Sequence, residues 1–240
     1  TIQQVTQTLA TGISEYPVGT ITATVGASGS LSIAETITGS SSGVTASIIT
    51  KPSSTTVRLT VPSGTFTSGE TITGGTSGAT TTISASPSLE DVQSSIDILS
   101  SVVRRDNSDI SVLRISRGDF LNIPNKTTPG RPTQFYVDRQ ITPVVKIWPQ
   151  PENSTDALIY DRLVRIDDAD AAVNTVDIPF RFYPCLAAGL AYYISLKRAP
   201  DRIQILKAIY DEEFTRAAEE DRDKANLNLV PAYSFISAIS

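Results

Sequence analysis

The chain has 240 residues, 40% of them hydrophobic and 19% charged, a composition that argues against a wholly disordered or a membrane-embedded protein. One cysteine, Cys185, excludes an internal disulfide framework, and the absence of histidine removes the commonest general base and metal ligand. A formal net charge of −5 gives no overall attraction to nucleic acid, and no apolar run approaches the roughly 18 residues of a membrane span.

The first stretch lacks a basic-then-apolar signal pattern, so a soluble protein of the cytoplasm is expected. Thr1 is a small residue of the kind behind which an initiator methionine is trimmed. Residues 1–16 predict a short helix, because Ile2, Val5, Leu9 and Ile13 recur at spacings of three and four, with Pro17 and Gly19 as its stop.

Composition then changes. From Val18 to Pro87 only Glu35, Lys51, Arg58 and Glu70 are charged, among Thr, Ser, Gly, Ile and Val. A low-complexity spacer is one reading of such a tract. Period-two alternation of Ile21, Ala23 and Val25, and again of Val57, Leu59 and Val61, favours strands. An internal repeat supports them: Leu31–Ile49 aligns with Phe66–Ser84, matching at Glu35/Glu70, Ile37/Ile72, Gly39/Gly74 and Gly43/Gly78. Each copy reads as strand, Gly-Ser turn, strand, so residues 18–87 are expected to form an inserted all-β module, Ig-like or hairpin-repeat, with edges open to a neighbouring copy.

Ser88-Leu89-Glu90-Asp91 looks like a capping box, and Leu89, Val92, Ile96, Leu99 and Val103 lie at helical spacing up to Arg104-Arg105. A helix over 88–105 is therefore expected. Val112–Ser116 alternates as a strand. Lys126–Pro151 is the densest run of turn and strand signals, with Phe135 and Val137, then Val144, Val145, Ile147 and Trp148 between prolines. Asp156–Ile166 continues the sheet; Asp167, Asp168 and Asp170 form an acidic loop before a strand at Val173–Ile178.

Pro184 suits a helix start, with Leu186, Leu190 and Ile194 as its core face. A second helix is expected from Asp201 to about Lys224, with Ile203, Leu206, Ile209, Tyr210, Phe214 and Ala217 inward and a solvated acidic face. The fold class expected is α+β: a helical bundle packed with an antiparallel β-sheet core, carrying the inserted module. Residues 1–17 and 88–225 form the core domain, 18–87 the insert and 226–240 an extended tail. That tail is apolar at Leu227, Leu229, Val230, Tyr233, Phe235 and Ile236 around Pro231, the pattern of a partner surface or of a return to its own core.

Catalytic chemistry is sparse. Cys185 beside Pro184 reads as a buried structural thiol. Asp167, Asp168, Asp170 and Asp177 lack the glycine and terminal glutamate of a calcium loop. Gly74–Gly78 lacks the lysine of a phosphate loop. Arg114, Arg117, Lys126, Arg131, Arg139 and Lys146 gather around the central sheet, with acids interleaved and few aromatics for base stacking. No catalytic residue, metal ligand or cofactor is assigned.

Ser116-Arg-Gly-Asp-Phe-Leu-Asn-Ile-Pro124, Lys126-Thr-Thr-Pro-Gly-Arg-Pro-Thr133, Ile147-Trp-Pro-Gln-Pro151, Ile178-Pro179 and the Ala/Leu/Tyr stretch Leu186–Leu196 together resemble tailed-phage head-to-tail adaptors, the head completion or tail tubular protein A-like family. The similarity covers about residues 88–225, and the 18–87 repeats depart from it. The resemblance implies a non-enzymatic virion protein of the neck, assembled in the host cytoplasm. It implies a ring, a dodecamer in this family, that extends the DNA channel under the portal, passes double-stranded DNA and receives tail nozzle, tube or fibre proteins. By the same resemblance Leu227, Leu229, Val230, Pro231, Tyr233, Phe235 and Ile236 are the portal-binding residues. Two alternatives are another tail, neck or baseplate protein, and a receptor or carbohydrate-binding β-module.

Overall fold

The computed structural model describes residues 1–166 and 178–222. β1 (Ile2–Thr8) and β2 (Glu15–Pro17) precede six short strands: β3 (Thr22–Thr24), β4 (Thr36–Gly39), β5 (Thr45–Ser53), β6 (Thr56–Leu59), β7 (Thr71–Gly74) and β8 (Thr80–Thr82). One helical turn, α1 (Glu90–Gln93), leads into β9 (Ser95–Arg105), β10 (Ser108–Ser111) and β11 (Leu113–Arg114). The short helix α2 (Arg117–Leu121) is followed by β12 (Pro129–Gly130), β13 (Gln134–Asp138), β14 (Val144–Trp148), β15 (Gln150–Pro151) and β16 (Ala157–Val164). Two helices, α3 (Tyr183–Arg198) and α4 (Ile203–Glu220), come last. The chain divides into two compact units, Thr1–Asp167 and Asp168–Ser240.

Strand makes up 37% of the chain and helix 23%, so the expected helical bundle on a sheet is overturned in favour of a mostly β protein. Two of its predicted helices are strands. Residues 2–8 form β1, which pairs residue for residue with β16, from Ile2 opposite Leu163 to Thr8 opposite Ala157. Four of its seven residues are β-branched, and Gln7 and Leu9 are buried where a helix would have needed Ile2, which is exposed. The expected 88–105 helix survives only as α1. Beyond it β9 buries Ile98, which the helical stripe omitted, and exposes Ile96 and Leu99, which it included, with Val103 buried in both, because β16 on one side and β10 on the other supply its backbone partners. Val112–Ser116 reduces to the two-residue β11.

In the first unit two four-stranded sheets, β1-β16-β9-β10 and β11-β13-β14-β2, share one apolar core that includes Leu9, Tyr16, Ile98, Phe135, Val145, Ile147, Leu158 and Tyr160. β13 and β14 pair in the antiparallel register expected of the proline-rich stretch, with Phe135 opposite Ile147.

The six strands β3 to β8 order as β3-β6-β5-β4-β7-β8 around a second core, built of Ile21, Leu31, Ile37, Ile48, Leu59, Phe66, Ile72 and Ile83 among others. The two ends of that order meet. Val25 bridges Ile83, Gly26 N–H donates to the Thr82 carbonyl at 2.8 Å and Ser84 N–H to the Thr24 carbonyl at 2.9 Å. The sheet is thus a small closed barrel, and the open edges expected of the repeats are consumed by closure.

In the second unit α3 and α4 pack as an antiparallel hairpin. Their contact runs along Cys185 and Gly189 of α3, which are buried, and Ala217 of α4, with the Gly189 Cα lying against the Tyr210 ring. A Cβ at Gly189 would come within 3.0 Å of that ring, so the glycine permits the approach.

Candidate functional site

The repeated glutamates of the barrel are the most heavily engaged polar groups of the insert. Glu35 and Glu70 are 3% and 5% exposed. The Glu70 carboxylate accepts from Thr67 N–H in its own repeat at 2.7 Å, then reaches the turn of the other repeat, where Ser41 N–H and Ser42 N–H donate at 2.9 Å and the Ser42 hydroxyl at 2.7 Å. Glu35 reciprocates. It accepts from Ser32 N–H at 2.5 Å and, across the barrel, from Ser77 N–H at 2.9 Å, the Ser77 hydroxyl at 3.1 Å and Thr76 N–H at 3.3 Å. Burial alone would raise a carboxyl pKa, but these donors outweigh it; Glu70 is brought down to about 2 and Glu35 also falls below its usual value.

The same clasp explains the glycines. A Cβ at Gly39 would lie 2.7 Å from the Glu70 carboxylate, and one at Gly74 2.5 Å from that of Glu35. The Glu-Thr-Ile-Thr-Gly repeat is therefore a structural latch, and Gly74–Gly78 a turn that holds a protein carboxylate.

A second polar cluster, with no motif to announce it, roots the barrel. Arg162 of β16 is 4% exposed and donates to the Asp91 carboxylate at 2.5 Å, the Asp91 carbonyl and Ser95 Oγ at 2.8 Å, Gln3 Oε1 at 3.0 Å and the Val18 carbonyl at 3.3 Å. Thr20 N–H also donates to Asp91, at 2.7 Å, and Gly19 N–H donates to the Tyr160 hydroxyl at 2.8 Å. Burial raises and these partners lower the Asp91 pKa, with a net fall, while burial pushes Tyr160 up to about 12. The strand entering the barrel and the turn leaving it are thereby tied to one guanidinium. Gly19, at φ +126°, fits because a Cβ there would come 2.4 Å from Arg162 Nη1. Arg162 stands 67 or more residues from its partners in sequence, so only a buried-strand position held by a cation, beside Asp161 in an otherwise apolar β16, could have flagged the site.

Two of the motif pieces that carry the adaptor resemblance, Lys126–Thr133 and Ile147–Pro151, come together. Pro129-Gly130 pairs in parallel with Gln150-Pro151, Trp148 Nε1–H donates to the Asn125 carbonyl at 2.9 Å, and Thr133 N–H donates to the Trp148 carbonyl at 3.0 Å. Ser116 and Asp119 form a true capping box at α2.

Most of the basic residues that sequence grouped as a phosphate-facing surface are used locally. Arg114 and Arg139 both pair with Asp97, Lys146 with Glu15, Arg131 donates to the Val103 and Ser108 carbonyls, and Lys126 donates to the Leu121 and Ile123 carbonyls. A shallow cleft of about 320 Å³ lies between barrel and sheets, lined by Glu15, Tyr16, Ser47, Thr60 and Val144 among others.

The remaining candidate is a surface. Leu186, Leu190 and Ile194, expected in the core, are exposed, Leu190 at 61%, and Tyr193 beside them at 64%. The hairpin contact uses the opposite face of α3, so this helix is apolar on two sides. On α4, Ile209 and Phe214 are likewise exposed, while Ile203, Leu206 and Tyr210 are half-buried. Cys185 is buried in the hairpin, where burial first and Glu213 second raise its thiol pKa.

The tail residues Leu227, Leu229, Val230, Pro231, Tyr233, Phe235 and Ile236 lie outside the described residues, as do Asp167, Asp168, Asp170, Asp177 and all but the last residue of the strand expected at Val173–Ile178. Among the described residues no cluster of His, Cys, Asp or Glu is placed to hold a metal ion, and no helix is long and apolar enough to cross a membrane. Compared with models of protein families and with curated proteins, the chain matches none.

Proposed function

We propose that the chain is a structural protein of a phage virion, a head-to-tail adaptor that assembles as a ring under the portal, extends the DNA channel and receives the tail. The observation that carries this reading is the outer face of α3. A helix apolar on two sides needs cover on both, and α4 covers only one; an assembling subunit meets that need with a neighbour. The joined motif of residues 126–151 supports it as the rigid piece shared with adaptors, and the apolar segment around Pro231 is assigned the portal contact.

Electron microscopy and native mass spectrometry of the full chain, with and without portal rings, test the proposal. A ring that binds the portal is expected, with Leu190→Asp abolishing the ring and removal of residues 226–240 abolishing attachment to the portal. A chain that stays monomeric and unattached beside portal rings overturns the adaptor reading; attachment that survives the truncation overturns the role given to the tail.

A further inference from the structure

The barrel is one unit used twice. The first unit runs through β3, β4 and β5, the second through β6, β7 and β8. Exchanging β3 with β6, β4 with β7 and β5 with β8 maps the closed order β3-β6-β5-β4-β7-β8 onto itself. The two-fold axis so defined passes through two antiparallel pairs, Ala23 opposite Val57 and Thr38 opposite Thr73.

The hydrogen bonds obey that axis. Leu59 N–H donates to the Ile21 carbonyl at 3.0 Å, and its counterpart Val25 N–H donates to the Thr55 carbonyl at 2.8 Å. Gly26 N–H to the Thr82 carbonyl, at 2.8 Å, is matched by Thr60 N–H to the Ser47 carbonyl, at 2.9 Å. Ile48 faces Leu59 as Ile83 faces Val25. The glutamate clasps follow the same operation, each unit's carboxylate held in the other unit's turn. Neither unit closes on itself: β5 pairs with β6 and β8 with β3, so every seam of the barrel apart from β4-β5 and β7-β8 joins the two units.

We infer that the barrel is a fused homodimer and that the partner its units fit is the same module in a second copy of this chain, bound by exchange of units. The surface each unit presents is self-complementary, as an isologous interface must be. Only the turn at Ser54-Thr55, between β5 and β6, makes the pairing intramolecular. In an exchanged pair the first unit of each copy closes against the second unit of the other. Every seam and both clasps are then those already described, made between chains.

The test uses the full chain carrying Leu190→Asp, so that no ring contributes to the mass, with Ser54 and Thr55 deleted, so that β5 is unable to turn back into its own β6. Light scattering is expected to show about a twofold rise in mass with the circular-dichroism strand signal retained. In that background the pair Glu35→Gln and Glu70→Gln removes contacts that now bridge two chains, and self-association is expected to weaken roughly tenfold or more. A monomer that keeps the strand signal overturns the inference. If the deletion leaves the barrel unfolded, a second full-length chain decides, carrying residues 20–49 in place of residues 54–84 so that the unit meets itself. Cooperative melting with retained strand signal upholds self-complementarity, and its loss overturns it.

Discussion

The seam between the barrel's two units and the root that ties the barrel to the sheets both bury a charged side chain, but they satisfy it in opposite ways. At the seam, Glu35 and Glu70 are held by neutral N–H and O–H donors from short turns, and no cation is involved. At the root, Arg162 faces a carboxylate and two backbone carbonyls, and its charge is balanced by Asp91. Turn donors come with a local sequence, so they can be duplicated along with the strand that uses them. A guanidinium gathering acceptors from residues 3, 18, 91 and 95 belongs to one place in one fold. The seam can therefore recur within a chain, whereas the root cannot.

The largest expected effect comes from breaking the root. Arg162→Ala leaves the half-exposed Asp91 and several buried acceptors without their donor, and a loss of about 3 kcal/mol is expected in urea unfolding. Arg162→Lys recovers only part of it, since an ammonium lacks the planar fork that reaches five acceptors. A near-neutral Arg162→Ala would mean the barrel is held by its apolar contacts alone. Next come the seam glycines. Gly39→Ala and Gly74→Ala each drive a methyl into the facing carboxylate, at a cost of about 2 kcal/mol, and equal losses from the two variants would show that the units carry equal load.

The same contrast decides what was legible in the sequence. The repeat was visible because its latch residues are local: Glu, Gly and Ser recur at one spacing, and the strands alternate between them. Closure into a barrel was not, because it depends on which strand meets which, and β3 finds β8 across 55 residues or more. The two misread helices fail for a related reason. In β1 and β9, apolar residues happen to fall at spacings of three and four, but tertiary pairing with β16 fixes a period of two and turns Ile2, Ile96 and Leu99 outward. On α3 the helix was legible and its face was not, since an apolar stripe says that a helix is covered without saying by what. Arg162 left no trace beyond being a cation beside Asp161 in an otherwise apolar strand.

A smaller effect tests the seam's electrostatics. Glu70 has a folded pKa of about 2 against an ordinary 4.5, so its contribution is complete above about pH 4.5 and is lost as pH falls toward 2. Glu35 shifts in the same direction. Glu70→Gln turns an amide NH2 toward donors that the carboxylate accepts from, so it loses already at neutral pH what protonation takes from the wild type in acid; its expected signature is a lower melting temperature at pH 7 with a flatter fall between pH 5 and pH 2. An unchanged acid limb would place the wild-type's acid sensitivity on other carboxylates, Asp91 first among them.

The smallest expected effect separates the two units at a latch position where the backbone demand is shared and the residue differs. Ala34 sits at φ +68° and its counterpart Gly69 at φ +77°, each just before the latch glutamate. A left-handed conformation costs an alanine about 1 kcal/mol that a glycine does not incur, partly returned because glycine has more freedom to lose on folding. Ala34→Gly should therefore stabilise the chain by about 0.5 kcal/mol and Gly69→Ala destabilise it by about 1 kcal/mol, both read from urea midpoints with the slope unchanged. Opposite signs are what a shared geometry requires: the first unit tolerates a strained alanine only because the Glu35 clasp across the barrel fixes the turn. If both substitutions destabilise, the Ala34 methyl packing against the neighbouring core outweighs its backbone strain, and the two units are alike in hydrogen bonding but not in how they fill space.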